Sequence, residues 1–267
     1  MIPSDPLHRE FFIANHLHLV DDWKDPNPAP VLEQHEGVWV VRDDLLPAGA
    51  KSRFLDVLLR DGMVDEWVYG SSPRVGYGQV SLAYVAAKYK KASTVFLPAS
   101  KELHPNSLKA QAFGAKIVQV PVGFMKVCEA RARAYVQEQR LNGVNCELVP
   151  FGLDSPSVIG SIIKVARSLP IIPQEVWTVA GSGTLSRGLQ LAWPDAKVYA
   201  VSVGHVLTPH EAGRAEVIRH PLKFEQKCRP ADFPPFPSVA EYDAKAWKFI
   251  RERADTTKTV LFWNVAG

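Results

Sequence analysis

Two kinds of residue in this sequence could do chemistry: glycines that let backbone wrap an anion, and a lysine delivered at the end of a turn. The glycines stand out in VWTVAGSGTLSRGLQLAW, residues 176–193. An apolar run reaches Gly181-Ser182-Gly183-Thr184, and a helix-patterned segment follows. Glycines there permit a tight turn and a close approach, and the free N–H groups of a helix start attract an anion, usually phosphate. An ordinary strand-to-helix turn has the same outline. G-S-G-T directly between a strong strand and a strong helix favours phosphate. The same form recurs in GSSPRVGYGQVSLAYVAA, residues 70–87, where Gly76, Gly78 and Gln79 would let the backbone approach something flat. A flexible loop is the competing reading. The lysine is Lys51, in RDDLLPAGAKSR, residues 42–53. It is either a solvated charge after a turn or a nucleophile at the mouth of a cleft. Asn264 ends a buried strand in the terminal LFWNVAG, where a polar side chain needs a partner.

The loops also exclude ligands. A dinucleotide fingerprint G-x-G-x-x-G would need glycine where Ser186 stands, and the next strand, VYAVSVG, has no acid for a ribose. The nucleotide P-loop needs a Gly-Lys pair, and the chain has none. A small ligand with one phosphate remains. With a candidate reactive lysine and two glycine loops, that ligand reads as pyridoxal phosphate: its aldehyde needs a lysine, its phosphate a helix N-terminus, its ring a flat slot. No metal is expected. The histidines lack ligand spacing, and Cys128, Cys146 and Cys228 form no C-x-x-C pair. Two basic stretches, KYKK (88–91) and RHPLKFEQKCR (219–229), are read as a solvated helix end and a polar loop, with phosphate-backbone contact as the sharper alternative.

The elements that must carry these residues alternate. EWVYG (66–70), STVFLPA (93–99), AKIVQVPV (115–122), CELVPFG (146–152), VWTVAG (176–181), AKVYAVSVG (196–204) and TKTVLFWN (257–264) read as strands. Between them, 79–91, 104–114, 124–140, 157–169, 185–193 and 238–253 read as helices, with Ser155-Pro156 and Thr208-Pro209 as N-cap devices. Strand and helix in alternation predict a doubly wound α/β protein with mainly parallel sheets, whose ligands bind just beyond strand C-termini. The chain has 267 residues, 46% hydrophobic and 22% charged, with net charge +3, which suits an anionic ligand. No apolar run spans a bilayer and the N-terminus lacks a signal-peptide pattern, so a soluble, cytoplasmic protein is expected.

The sequence resembles the fold-type II pyridoxal-phosphate enzymes, the tryptophan synthase β-like group, within it the aminocyclopropane-carboxylate deaminase and D-cysteine desulfhydrase branch. Residues 42–53 match that family's R-D-D-L-x-x-G-G-x-K-x-R segment, which makes Lys51 the Schiff-base lysine by resemblance. Gly76-Tyr77-Gly78-Gln79 falls where the family has S-x-G-N-x-G, and Gly181-Ser182-Gly183-Thr184 falls on the phosphate loop. Leu261 to Gly267 resembles the family's terminal strand. The resemblance implies two doubly wound domains with the cofactor cleft between them: residues 1–55 with 146–267 as the larger, 56–145 as the smaller. It implies a pyridoxal-phosphate-dependent lyase, with Lys51 also returning the proton, and Tyr77, Gln79 and Asn264 at the ring. Ser71, Ser72 and Arg74 are then candidates for the substrate carboxylate, and a homodimer is the expected assembly. Tyr77 and Val265 depart from the family's ring contacts. Compact, divergent relatives occur in phages that hypermodify thymine, and this likeness points to decarboxylation of α-glycyl-thymidine in DNA to aminoethyl-deoxyuridine, in the host cytoplasm. The alternatives are a deaminase or desulfhydrase acting on a free small amino acid, and a non-catalytic binding protein of the same fold.

Overall fold

The computed structural model describes residues 1–267 apart from Met1, Ser4, Asp61, Ser71, Val122 and Gly123. In chain order the elements are α1 (Pro6–His18), β1 (Leu32–His35), β2 (Val38–Arg42), α2 (Ala50–Leu59), β3 (Glu66–Tyr69), α3 (Gly78–Lys88), β4 (Ala92–Pro98), α4 (Pro105–Ala112), β5 (Lys116–Val120), α5 (Met125–Leu141) and β6 (Cys146–Leu148). They continue as α6 (Pro156–Arg167), β7 (Glu175–Ala180), α7 (Thr184–Ala192), β8 (Lys197–Ser202), α8 (Pro209–Ala212), β9 (Glu216–Arg219), α9 (Ala244–Arg253) and β10 (Val260–Asn264). The expected doubly wound α/β class is the one observed. The chain divides into two units, residues 1–50 with 154–267, and residues 51–153. Among the described residues no helix is long and apolar enough to cross a membrane.

The larger unit holds a six-stranded sheet in the order β1-β2-β10-β7-β8-β9. Every pairing is parallel except that of β1 with β2. That hairpin, not assigned from the sequence, turns through Glu36 and Gly37 at φ 51° and 82°, the two positive angles a two-residue turn needs. The inner strands are buried on both faces, so β7 and β10 read as continuous apolar runs rather than alternating ones. Trp177 stacks on Tyr199 at 4.2 Å, and with Phe262, Trp247 and Val201 they form the core. Full burial of a residue such as Phe262 contributes about 1.5–3 kcal/mol. α1 packs closely on α6 because Gly160 has no side chain: a Cβ there would stand 2.2 Å from the His16 carbonyl oxygen.

From β7 the chain moves outward to β8 and β9, then returns to place β10 on the other side of β7. This reversal is a topological switch point, where parallel sheets open a crevice at their strand C-termini. The loop 181–183 leaves β7 there, and Asn264 ends β10 there. The smaller unit repeats the device in its order β5-β4-β3-β6, with the reversal between β3 and β6. The chain leaves β3 there at Gly70. Its core is Val68, Phe96, Val120, Cys128, Ala132 and Val136.

Among the boundaries that differ from the sequence reading, three have a cause visible in the structure. α9 begins at Ala244 rather than at residue 238. Residues 238–243 are spent on tethers instead: the amide of Val239 donates to the Ala266 carbonyl at 3.2 Å, and the Asp243 carboxylate accepts from the Ala266 amide at 3.2 Å. β10 starts at Val260, because Asp255 folds Thr257 into a turn through its amide (3.2 Å) and hydroxyl (2.5 Å). β6 stops at Leu148, ahead of Pro150 and a 3-10 turn in which Gly152 and Leu153 have φ 61° and 62°. The caps fall as expected: Ser155 accepts from the Val158 amide at 3.3 Å, and Thr208 forms a capping box with Glu211.

Candidate active site

In the larger unit Gly183 is the hinge of the 181–184 loop. Its φ of +74° is a left-handed conformation, and a Cβ would stand 2.0 Å from the Glu211 carbonyl oxygen. Only glycine fits both constraints. The helix that follows therefore starts without a side-chain cap. Its first internal bond runs from the Arg187 amide to the Gly183 carbonyl at 2.9 Å, and no protein acceptor among the described residues takes the amides of Thr184, Leu185 and Ser186. No acid occupies this first turn. The hydroxyls of Ser182 and Thr184 lie 3.2 Å apart beside those amides. Neutral donors at the positive end of a helix, with no carboxylate among them, fit a phosphate group.

Sequence reasoning missed what steadies this loop. The Tyr242 hydroxyl accepts from the Gly181 amide at 3.0 Å and donates to the Val179 carbonyl at 3.3 Å. Tyr242 stands in the segment read as helix, so nothing local flagged it.

Asn264 is fully buried, as its need for a partner required. Both ends of its amide are engaged: the nitrogen donates to the Pro237 carbonyl at 2.9 Å, and the oxygen accepts from the Ser238 hydroxyl at 2.8 Å. In this arrangement Asn264 holds the 237–238 turn against the end of β10.

The segment before Lys51 carries two acids, Asp43 and Asp44, and each has a partner. Arg42 makes a two-pronged bond to Asp44, both arms 2.8 Å, and a further bond to Glu33. The Asp44 hydrogen bond is the largest cause raising the Arg42 pKa. Asp43, almost fully buried, accepts from the Trp263 indole nitrogen at 2.9 Å. The chain then turns through Gly49 at φ 67°, and the Ala50 amide donates to the Val265 carbonyl at 2.8 Å. Both acids thus fix the path into α2, and Lys51 is the second residue of that helix, half-buried.

In the smaller unit Gln79 is fully buried at the start of α3. Its side-chain nitrogen donates to the carbonyls of Arg74 and Gly76, each at 3.0 Å, and its oxygen accepts from Ser107 at 2.8 Å. Gln79 therefore organises the loop from within. The Tyr77 hydroxyl accepts from Lys109 at 2.9 Å, and Asn106 donates to the Val75 carbonyl at 2.9 Å. Ser72 is fully buried and donates to the Pro73 carbonyl at 3.3 Å, while Arg74 is half-buried. Ser71 lies outside the described residues. Under the loop is Tyr69, whose hydroxyl is pushed up to about 12 by burial; a Cβ on Gly78 would come within 2.8 Å of its ring. The structure thus gathers Gly181 to Thr184 on one loop and Ser72, Arg74, Tyr77 and Gln79 on another. Among the described residues no group of three or more His, Cys, Asp and Glu is placed to hold a metal.

No protein-family model matches the sequence, and no curated protein matches it either. Solved structures do. An ACC deaminase homologue matches with TM-score 0.77 at 14% identity, covering 94% of each chain. A T.th. threonine deaminase matches with TM-score 0.65 at 17% identity, covering 96% of this chain and 97% of that one. The processed threonine deaminase isoform 2 of Solanum lycopersicum matches with TM-score 0.68 at 13% identity, over 98% and 85%. The chain has the fold-type II architecture, two α/β doubly wound units with mainly parallel sheets.

Proposed function

We propose that this protein is a pyridoxal-phosphate-dependent lyase acting on an amino-acid-like substrate. The observation that carries the reading is the loop after β7, with three amides unpaired among the described residues, two hydroxyls and no acid, at a switch point. That donor set fits the phosphate. The cofactor, when bound, supplies an aldehyde for amines and a ring that withdraws electrons from the substrate α-carbon. Thr184, Leu185 and Ser186 donate their amides to the phosphate, joined by the hydroxyls of Ser182 and Thr184, with Gly181 and Gly183 shaping the loop. Lys51 provides the amine that carries the cofactor, and its Nζ returns a proton to the α-carbon. Tyr77 flanks the ring, and Gln79 sets the shape of that loop. Asn264 acts at the ring through the turn it holds. Ser71, Ser72 and Arg74 receive the substrate carboxylate.

The names borne by structures of like fold support a small amino acid as substrate: threonine deaminases, a maize serine racemase and a fungal L-serine ammonia-lyase among them. They favour deamination or a related lyase reaction on a free amino acid over decarboxylation of glycyl-thymidine in DNA. The test is a pyridoxal-phosphate titration followed by borohydride and peptide mapping, in wild type and Lys51→Ala. Cofactor fixed to Lys51 in the wild type alone is the expected result. A protein that takes up none would overturn the reading. Free amino acids and glycyl-thymine DNA, offered in parallel, separate the two substrates by keto acid and ammonia on one side and carbon dioxide on the other.

A further inference from the structure

Beyond the C-termini of β8 and β9 the larger unit contains a cavity of about 960 Å³, walled by the turn at Gly204–Val206 and the segment from Arg219 to Gln226. The walls are built rather than incidental. Gly204 has φ +74°, and a Cβ there would stand 2.5 Å from the Cβ of Phe224, so the two walls meet where glycine permits it. The Ser202 hydroxyl donates to the His205 carbonyl at 2.6 Å, and the His220 amide donates to the Ser202 carbonyl at 3.0 Å. From beneath, fully buried Lys245 donates to the carbonyls of Lys223 at 2.8 Å and Phe224 at 3.3 Å. A buried amine is costly unless hydrogen-bonded, and here its bonds hold the cavity wall.

The charges around the cavity are unevenly satisfied. His205 has Glu211 at 3.0 Å, Lys227 has Glu241 at 3.8 Å, and Arg229 has Asp232 at 3.2 Å. Arg219 and Lys223 line the cavity, and neither has a carboxylate partner among the described residues. Glu225 is the acid in the lining. Ser202, at the cavity, is the register partner of Ala180, the last residue before the 181–184 loop. Adjacent strands are about 4.8 Å apart, so the cavity adjoins that loop along the same sheet edge.

We propose that this cavity binds a phosphate ester carried by the substrate at the end remote from its reacting amine. The assignment to the substrate rests on the lyase reading; the anion site itself rests on the cavity. A phosphate monoester carries about −1.5 to −2 charges at neutral pH, which the cations of Arg219 and Lys223 match, and a guanidinium fork suits its oxygens. A cavity at the upper end of the usual range of about 300–1,000 Å³ has room for more than the phosphate. The ester is a monoester on a phosphorylated free amino acid or, with a single charge, a diester of a nucleic-acid backbone.

The experiment measures inorganic phosphate binding calorimetrically to the pyridoxal-phosphate-loaded protein, in wild type, R219Q/K223Q and Glu225→Gln. The double variant should weaken binding at least tenfold, and Glu225→Gln should tighten it severalfold, with the cofactor absorbance band unchanged in all three. Phosphate affinity that is absent in the wild type, or unchanged in both variants, would overturn the proposal. If the double variant does not fold, Glu225→Gln decides alone. Competition then names the carrier: O-phosphoserine displacing phosphate indicates a free amino acid, and a salt-sensitive single-stranded oligonucleotide doing so indicates a nucleic acid. Displacement by neither removes the assignment to the substrate. Phosphate binding without any cofactor band would sink the lyase reading and leave the anion site standing.

Discussion

The Tyr242 hydroxyl takes the amide hydrogen of Gly181 at 3.0 Å, joining the segment before α9 to the loop after β7. The same hydroxyl donates to the Val179 carbonyl at 3.3 Å, so one phenol spans the last turn of strand and the first residue of the loop. The amides that face the proposed phosphate begin three residues later, just past Gly183 at φ +74°. A binding loop loses less entropy on closing around a ligand when its path is already set.

Tyr242→Phe removes the hydroxyl that makes both of these bonds and keeps the ring. A neutral hydrogen bond is worth about 0.5–1.5 kcal/mol, so pyridoxal-phosphate affinity should fall about two- to tenfold while the circular dichroism spectrum stays unchanged. Titration of the cofactor band in both proteins checks it. Equal affinities would mean that the loop needs no brace.

Gly183→Ala should do much more than Gly181→Ala. The first places a Cβ 2.0 Å from a backbone oxygen at φ +74°; the second meets nothing nearer than the Tyr242 hydroxyl at 3.5 Å. Strain in a left-handed position costs about 1–3 kcal/mol before the clash is counted. At about 2–4 °C per kcal/mol for a protein somewhat smaller than this one, Gly183→Ala should lower Tm by several degrees and Gly181→Ala by almost none. Thermal melts of the two variants side by side make the comparison, and equal melting temperatures would refute it.

Much of this was legible because it is local. Glycines at a strand end, Ser155-Pro156 and Thr208-Pro209 act within a turn of their own position, and the structure puts each where short-range reasoning expects it. What was illegible depends on distant partners. Tyr242 lies far along the chain from Gly181, and the helical spacing of residues 238–243 is overridden by tethers to Ala266 and Asn264. Asp43 takes its place from the indole of Trp263, more than two hundred residues along the chain. The resemblance puts Gln79 at the ring, and in the structure its side-chain nitrogen bonds the loop's own carbonyls.

That difference gives Gln79→Ala diagnostic value. Removal strands the carbonyl of Gly76 and the hydroxyl of Ser107 in a buried place and takes one bond from the Arg74 carbonyl. Each buried polar group left without a partner costs about 1–3 kcal/mol, so Tm should fall clearly in the protein without cofactor. A residue whose role was only to bind the ring would instead lower cofactor affinity and leave that melting temperature alone.

Lys245 makes stability depend on pH in an unusual direction. Burial lowers its pKa to about 8, and the nearby Cys228 and Glu241 only partly offset this. In the unfolded chain a lysine titrates near about 10.4, so between these values the unfolded state binds more protons than the folded state. Stability from this group therefore rises as pH increases from about 8 toward the unfolded value, and the cost of the buried charge is fully present below about 8. The neutral amine still donates to the carbonyls of Lys223 and Phe224, so the cavity wall keeps its support through the titration. Urea midpoints for wild type and Lys245→Met at neutral pH and near pH ~10 isolate the effect. The wild type should gain on the variant as pH rises; parallel pH dependences would mean that Lys245 titrates alike in both states.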